Sequence, residues 1–323
     1  MRFLVYGAGA VGSTVGGMLA QAGQEVTLVG RNPHMSRIAS SGLKITGLWG
    51  DHHVKTLRAG TEIPADYIPD YILLTTKTYQ TAAAAQTLAQ HFPKDIPVLH
   101  LQNGVGNAEI LAQHLGTSRV ISGMIIIGFQ IPLAGRSVVT VQADNIKIGR
   151  INGPADKLVQ ALVKAFREAS LPVEAVDNIA THLWGKVLYN AALNPLSGIL
   201  GVSYGELLEP QPWSVITRVI HEAFDVLQAE KQTLFWPTAD AYLKHLREVQ
   251  VPATFDHKAS MLSDLRHARL TEIDALNGAL CALGRKHQKP TPVNDTLVAL
   301  IHALESNTQK GIPHPTMQDP GPG

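Results

Sequence analysis

Short apolar runs alternate with amphipathic stretches through the first half of the chain. Strand candidates are Arg2–Tyr6, Glu25–Val29, Tyr71–Thr75, Val98–Leu101 and Val120–Ile127. Helical stretches fall between them at Val11–Ala22, Thr78–His91 and Ala108–Leu115. Short β-rich runs separated by helices read as βαβ units around a mainly parallel, doubly wound sheet. The crossovers are expected to be right-handed. Ser137–Val141 and Asn145–Ile148 read as a hairpin or a pair of later strands, Ala155–Ala169 as a helix and Leu171–Val176 as a strand.

The pattern changes near residue 177. Asn178–Leu193, Pro212–Glu230, Pro237–Glu248, Arg266–Lys286 and Asn294–Asn307 carry helical periodicity, and no strand-like run of equal strength joins them. The expected class is therefore α/β: a Rossmann domain over 1–176, then an all-helical domain over 177–310. The segment 311–323, rich in Pro and Gly, offers little to bury and is expected to be disordered.

Charge narrows the function. Lys and Arg number 27 against 26 Asp and Glu, so the net charge is +1, and no basic run marks a nucleic-acid face. No apolar run approaches the roughly 18 residues of a membrane span. The start, Met1-Arg2 before Phe3-Leu4-Val5-Tyr6, is too soon followed by glycines for a secretion helix. One cysteine, Cys281, rules out an intrachain disulfide and fits a reducing, cytoplasmic setting. Its neighbours Leu280, Ala282 and Leu283 make it a buried packing residue. No His or Cys cluster has metal-ligand spacing, so no metal is expected, and the histidines read as surface or structural.

Gly7-Ala8-Gly9-Ala10-Val11-Gly12 is a G-x-G-x-x-G motif between the first strand and the first helix, the context a dinucleotide site needs. Gly7 allows the tight turn, Gly9 lets backbone approach a pyrophosphate, and Gly12 lets helix and strand pack closely. The helix N-terminus attracts the phosphates. The second strand ends in Gly30-Arg31-Asn32 where an NAD enzyme usually has a carboxylate. A guanidinium suits the extra 2′-phosphate of NADP(H), although a solvated surface Arg has the same appearance. Arg37 is a second candidate. Thr75-Thr76-Lys77 and Gln102-Asn103-Gly104-Val105-Gly106 close two further strands, which places Lys77 and Asn103 where ligands bind in such sheets.

Lys186, Asn190 and Asn194 are spaced i, i+4, i+8 and form one polar stripe on a helix whose other residues include Leu183, Trp184, Val187, Leu188 and Leu193. Such a stripe is expected to face a cleft, because burial without partners is costly. Taken alone it also fits a solvent-facing stripe. Ser260-Met261-Leu262-Ser263-Asp264 and Leu270-Thr271-Glu272-Ile273-Asp274 form a second cluster, whose acids alone could simply be solvated.

These segments, with Asn103-Gly104-Val105-Gly106 and Asn194-Pro195-Leu196, resemble the ketopantoate reductase (2-dehydropantoate 2-reductase) family from the glycine motif to about residue 308. The resemblance implies NADPH-dependent reduction of a small 2-keto acid, 2-dehydropantoate, to pantoate on the way to pantothenate and coenzyme A. It implies Lys186 as proton donor to the ketone oxygen, and Glu272 as the acid that contacts the nicotinamide ribose and holds the lysine. Asn190, Asn194 and Ser260 resemble substrate-binding residues, and Asn103 resembles a residue touching both cofactor and substrate. Gly7, Ala8, Gly9, Ala10, Val11, Gly12, Arg31 and Lys77 match cofactor-side positions.

The sequence departs from the family twice. Tyr204 precedes Gly205-Glu206-Leu207 where the family carries a substrate-contacting Asn. Ile125-Ile126-Ile127-Gly128-Phe129-Gln130 is bulky and apolar near the expected cofactor wall. Another bulky 2-keto acid is therefore an alternative substrate, and a cofactor-binding regulator without turnover is a competing class. A helical second domain can support a homodimer, but no interface is legible in the sequence.

Overall fold

The computed structural model describes residues 1–92, 95–310 and 312; the expected disorder of 311–323 otherwise lies outside the described residues. The chain divides into two compact units, Met1–His182 and the part from Leu183 onward.

The first unit is built on an eight-stranded sheet of order β12-β11-β8-β7-β6-β1-β2-β5. Its strands are β1 (Arg2–Tyr6), β2 (Glu25–Val29), β5 (Arg58–Gly60), β6 (Tyr71–Leu74), β7 (Val98–His100), β8 (Val120–Met124), β11 (Ile146–Gly149) and β12 (Val173–Ala175). All pair in parallel except β11 with β8. The chain leaves β1 in one direction to reach β2 and in the other to reach β6, which makes the carboxyl end of β1 the switch point where such sheets bind ligands.

Successive side chains on β1 and β6 enter opposite layers, as the two-residue strand period requires. Phe3, Val5 and Leu73 join a cluster with Val15 and Leu19 of α1 (Ala10–Gln21) and with Leu162 and Phe166 of α5 (Lys157–Glu168). Leu4, Ile72 and Leu74 join a cluster with Leu88 of α3 (Thr81–His91) and Leu111 of α4 (Asn107–Leu115). Strands buried on both faces read as continuous apolar runs, which is why these segments are legible.

The sequence gives no sign of a second sheet, of order β4-β3-β10-β9. It comprises β3 (Leu43–Gly47), β4 (His52–Val54), β9 (Ile127–Gln130) and β10 (Arg136–Gln142), and it follows α2 (His34–Ser41). The expected strand Val120–Ile127 is therefore two strands: it breaks at Ile125-Ile126, and β9 pairs antiparallel with β10 in the other sheet. Of the two readings of Ser137–Val141 and Asn145–Ile148, the pair of later strands holds and the hairpin does not, because β10 and β11 belong to different sheets.

Among the described residues the second unit contains helices and no strand. They are α6 (Ala180–Leu200), whose first residues precede Leu183, α7 (Pro210–Ala229), α8 (Ala239–His245), α9 (Val251–Ala253), α10 (Ser260–Arg266), α11 (Asn277–His287) and α12 (Pro292–Gln309). Residues Leu246–Gln250 form a π-helical turn between α8 and α9. Buried Cys281 lies in α11.

Two expectations change here. The first helix does not stop before Pro195 but runs through it to Leu200. Proline has no N–H for the carbonyl four residues back, Ala191. That carbonyl is satisfied from outside the helix: fully buried Asn277 donates its side-chain amide to it at 3.1 Å. Asn277 also donates to Asn294 Oδ1 at 2.9 Å, and Asn294 donates to Glu222 at 2.7 Å. The second change is at Arg266–Lys286, which is not one helix. The chain ends α10 at Arg266, takes a left-handed residue at Ala268 (φ 51°), and starts α11 only at Asn277. The irregular segment between them carries Glu272.

Candidate functional site

In the first unit, the turn after β1 is fixed by backbone. The Gly7 and Ala8 amides both donate to Val29 O at 2.9 Å. Gly7 has φ +94°, and a Cβ there would come within 2.5 Å of Thr76 Cγ2. A Cβ on Gly12 would collide with Thr75 and Val5. Around Gly9 the situation is opposite: a Cβ would meet nothing closer than Gly7 O at 3.8 Å. The turn therefore has open space at its middle glycine and tight packing at the outer two. No side chain caps α1 at Gly9, so amides of its first turn remain available to an anion. These features fit a dinucleotide pyrophosphate.

Arg31, two residues past β2, is exposed. Its loop is tied to the glycine turn through buried His34, which sequence reasoning set aside with the other histidines. His34 Nδ1 accepts the Gly135 amide at 3.0 Å, so the ring proton sits on Nε2. Nε2–H then donates to Ser13 Oγ at 3.0 Å, leaving Ser13 to donate to Ala8 O at 3.1 Å. Burial lowers the His34 pKa and keeps this neutral, one-directional chain intact.

Lys77 and Asn103 follow β6 and β7 and are both partly exposed. A buried network lies beneath them. Gln102 Nε2 donates to Thr81 Oγ1 at 2.8 Å, Thr81 donates to Asn107 Oδ1 at 2.8 Å, and Asn107 donates to Asn103 O at 3.0 Å. The loop positions were legible in the sequence; the Thr81–Asn107 support was not, because its members lie on two different helices.

In the second unit, α6 carries Lys186, Asn190 and Asn194. Lys186 and Asn190 are partly exposed and Asn194 is buried. Desolvation pushes the Lys186 ammonium down to about 8, with the nearby Glu272 carboxylate pulling the other way. Glu272 is itself buried, contrary to the solvated reading of this acidic cluster. Its segment is held on either side: the Thr271 amide donates to Glu305 at 2.7 Å, and the Ala275 amide donates to Glu272 O at 3.1 Å. The structure thus brings Lys186 and Glu272 together from positions 86 residues apart. Ser260 is the exposed first residue of α10.

Tyr204 is buried, and its hydroxyl donates to Asn194 Oδ1 at 2.6 Å. Its ring packs edge-on to Tyr189 at 5.7 Å and against His257 at 5.1 Å. The unusual residue noted in the sequence is therefore a direct partner of a candidate substrate residue. Phe129, from the bulky 125–130 run, packs edge-on to Trp49 at 5.5 Å within the first unit.

The chain as a whole matches known proteins over most of its length. The model of "Ketopantoate reductase PanE/ApbA" covers residues 3–153, and that of its C-terminal domain covers 178–305. The chain belongs to the ketopantoate reductase family. It is 36% identical over 310 residues to a 2-dehydropantoate 2-reductase of Aquifex aeolicus, spanning 94% of this chain and 97% of that one. Over 307 residues it is 32% identical to the Pyrococcus abyssi protein of the same name, covering 95% and 98%. Among solved structures, a family member from Ralstonia eutropha matches with TM-score 0.86 at 31% identity, over 96% of this chain and 100% of that one. D-mandelate dehydrogenase, solved with NADH and anilino(oxo)acetate, matches with TM-score 0.85 at 27% identity and the same coverage. The fold is the expected one, a Rossmann-like unit followed by a helical one. Among the described residues, no helix is long and apolar enough to cross a membrane.

Proposed function

We propose that this reductase uses NADPH to reduce 2-dehydropantoate to pantoate, a step towards pantothenate and coenzyme A. The observation that carries this reading is the Lys186–Glu272 pair, supported by curated relatives that bear that activity in their names. Gly7 to Gly12 would hold the pyrophosphate through backbone amides and the α1 N-terminus, and Arg31 would grip the 2′-phosphate. Lys77 and Asn103 would line the nicotinamide side. Bound NADPH supplies the hydride to the keto carbon.

The protein's part is charge and proton management. Reduction leaves negative charge on the former ketone oxygen. The Lys186 ammonium stabilises that charge and donates the proton. A pKa of about 8 leaves the lysine protonated at neutral pH yet far better matched to proton transfer than an exposed lysine. Glu272 holds the ammonium in place and balances its charge. Asn190, Asn194 and Ser260 bind the acid and oxygen groups without adding an unpaired charge.

A second reading, a reductase of bulkier 2-keto acids, is favoured by Tyr204 and by the likeness to D-mandelate dehydrogenase. NADPH oxidation at 340 nm with 2-dehydropantoate, wild type beside Lys186→Ala, tests the proposal. Turnover should fall by about 10²–10⁴-fold in the variant while NADPH binding survives. NADPH binding with no wild-type turnover of any 2-keto acid would instead indicate a cofactor-binding regulator.

A further inference from the structure

Tyr204 determines which hydrogen-bonding groups α6 can offer. Its buried hydroxyl proton needs an acceptor, and Asn194 Oδ1 is the partner it has, at 2.6 Å. That bond fixes the Asn194 amide with its oxygen turned towards the phenol and its NH2 turned away. The phenol cannot swing aside. Its ring is wedged between those of Tyr189 and His257, and its backbone N–H donates to His257 O at 3.0 Å. The next residue, Gly205, donates to Phe255 O at 2.8 Å, and the Phe255 ring lies 2.5 Å from where a Cβ would be, so the loop has no slack. Tyr189 offers no competing donor to Asn194 Oδ1, because its hydroxyl proton goes to Thr254 Oγ1, whose own proton goes to Gln250 O at 2.8 Å.

We propose that Tyr204 is a specificity-determining positioning residue that locks Asn194 as a pure hydrogen-bond donor, so that the α6 stripe recognises 2-keto acids by their acceptor oxygens and does not reward a hydroxyl on the substrate's side chain. With Lys186 and Asn194 both donating, carboxylate and ketone oxygens are matched. A substrate hydroxyl seeking an acceptor finds Asn194 Oδ1 already accepting from Tyr204 and turned towards the phenol ring. The favoured substrate class is a branched or bulky 2-keto acid whose side chain carries no hydroxyl. This rests on the second reading above, a reductase of bulkier 2-keto acids, and narrows it, making 2-dehydropantoate the poorer substrate of the wild type.

The test uses the intact enzyme and two substrates that differ by one oxygen atom, 2-dehydropantoate and 3,3-dimethyl-2-oxobutanoate. Tyr204→Phe keeps the ring and its packing but releases the Asn194 amide to rotate. The ratio of kcat/KM for the hydroxylated over the plain acid should rise about tenfold or more in the variant, carried by KM, with kcat for the plain acid little changed. A single recovered hydrogen bond to a substrate hydroxyl is of this size. Asn194→Asp gives an independent check, because it keeps an acceptor for Tyr204 while removing the N–H donors. KM for both acids should rise by about 100-fold or more. A ratio unchanged by Tyr204→Phe, or a KM unchanged by Asn194→Asp, overturns the proposal and leaves the reductase reading standing. A wild type that turns over neither acid overturns both.

Discussion

The glycine turn after β1 and the polar stripe on α6 offer opposite means of holding a ligand. At the turn, the groups presented are backbone amides, and side chains serve by being absent: Gly9 leaves space that Gly7 and Gly12 could not. On α6 the groups presented are side-chain termini, and two of them are set by partners from elsewhere in the sequence. Lys186 depends on Glu272, Asn194 on Tyr204, and the helix itself on Asn277 where Pro195 leaves the Ala191 carbonyl open. A backbone cradle has no side-chain terminus by which to tell one dinucleotide from another. A side-chain stripe is selective and exposed to single substitutions. The exception on the cofactor side is Arg31, one side chain whose proposed task is to tell two dinucleotides apart.

That exception gives the largest effect beyond loss of Lys186. Arg31→Asp should weaken NADPH binding about 10–100-fold, the scale of one or two charge-assisted hydrogen bonds, while NADH binding changes little. Fluorescence titration with both cofactors checks it, and equal losses would return Arg31 to the solvated surface. A smaller effect sharpens the other side of the comparison. With Lys186 as the acid, activity needs its protonated form, so kcat/KM should be flat below about pH 8 and fall about tenfold per unit above it. NADPH affinity, proposed to rest on amides and Arg31, should not follow that curve. A shared inflection in the binding curve would show that the two regions are not independent. The smallest effect is on stability. Asn277→Ala leaves the Ala191 carbonyl buried and unsatisfied and should cost about 1–3 kcal/mol in urea unfolding, with the glycine turn's cofactor affinity preserved.

Legibility in the sequence follows the same division. The cradle could be read because it is local: strand, three glycines and helix lie within about twenty consecutive residues. The parallel strands other than β5, a three-residue Arg-Ala-Gly edge, were readable because burial on both faces leaves unbroken apolar runs. The second sheet was not, since β4 has three residues, β3 is interrupted by Lys44 and Thr46, and β9 continues the apolar run of β8 without a break in the sequence. The Lys186 stripe showed in its spacing, yet nothing local showed that Tyr204 bonds Asn194 or that Asn277 repairs the helix at Pro195. The histidines read as surface or structural, and the partners of the structural ones were hidden for the same reason. His34 and His100 are buried, but one belongs to a chain of bonds spanning Gly135 to Ala8 and the other pairs with Ser122 on the neighbouring strand.

The lone thiol in α11 has a use of its own. Cys281 is buried, and burial pushes it up to about 12, so the nucleophilic thiolate is almost absent from the native protein. An alkylating reagent must wait for the surrounding helices to part. With no other cysteine in the chain, every modified molecule records one such opening of the second unit alone. The rate of labelling, followed with and without substrate, is thus a built-in clock for how often the helical unit breathes and how far a ligand slows it.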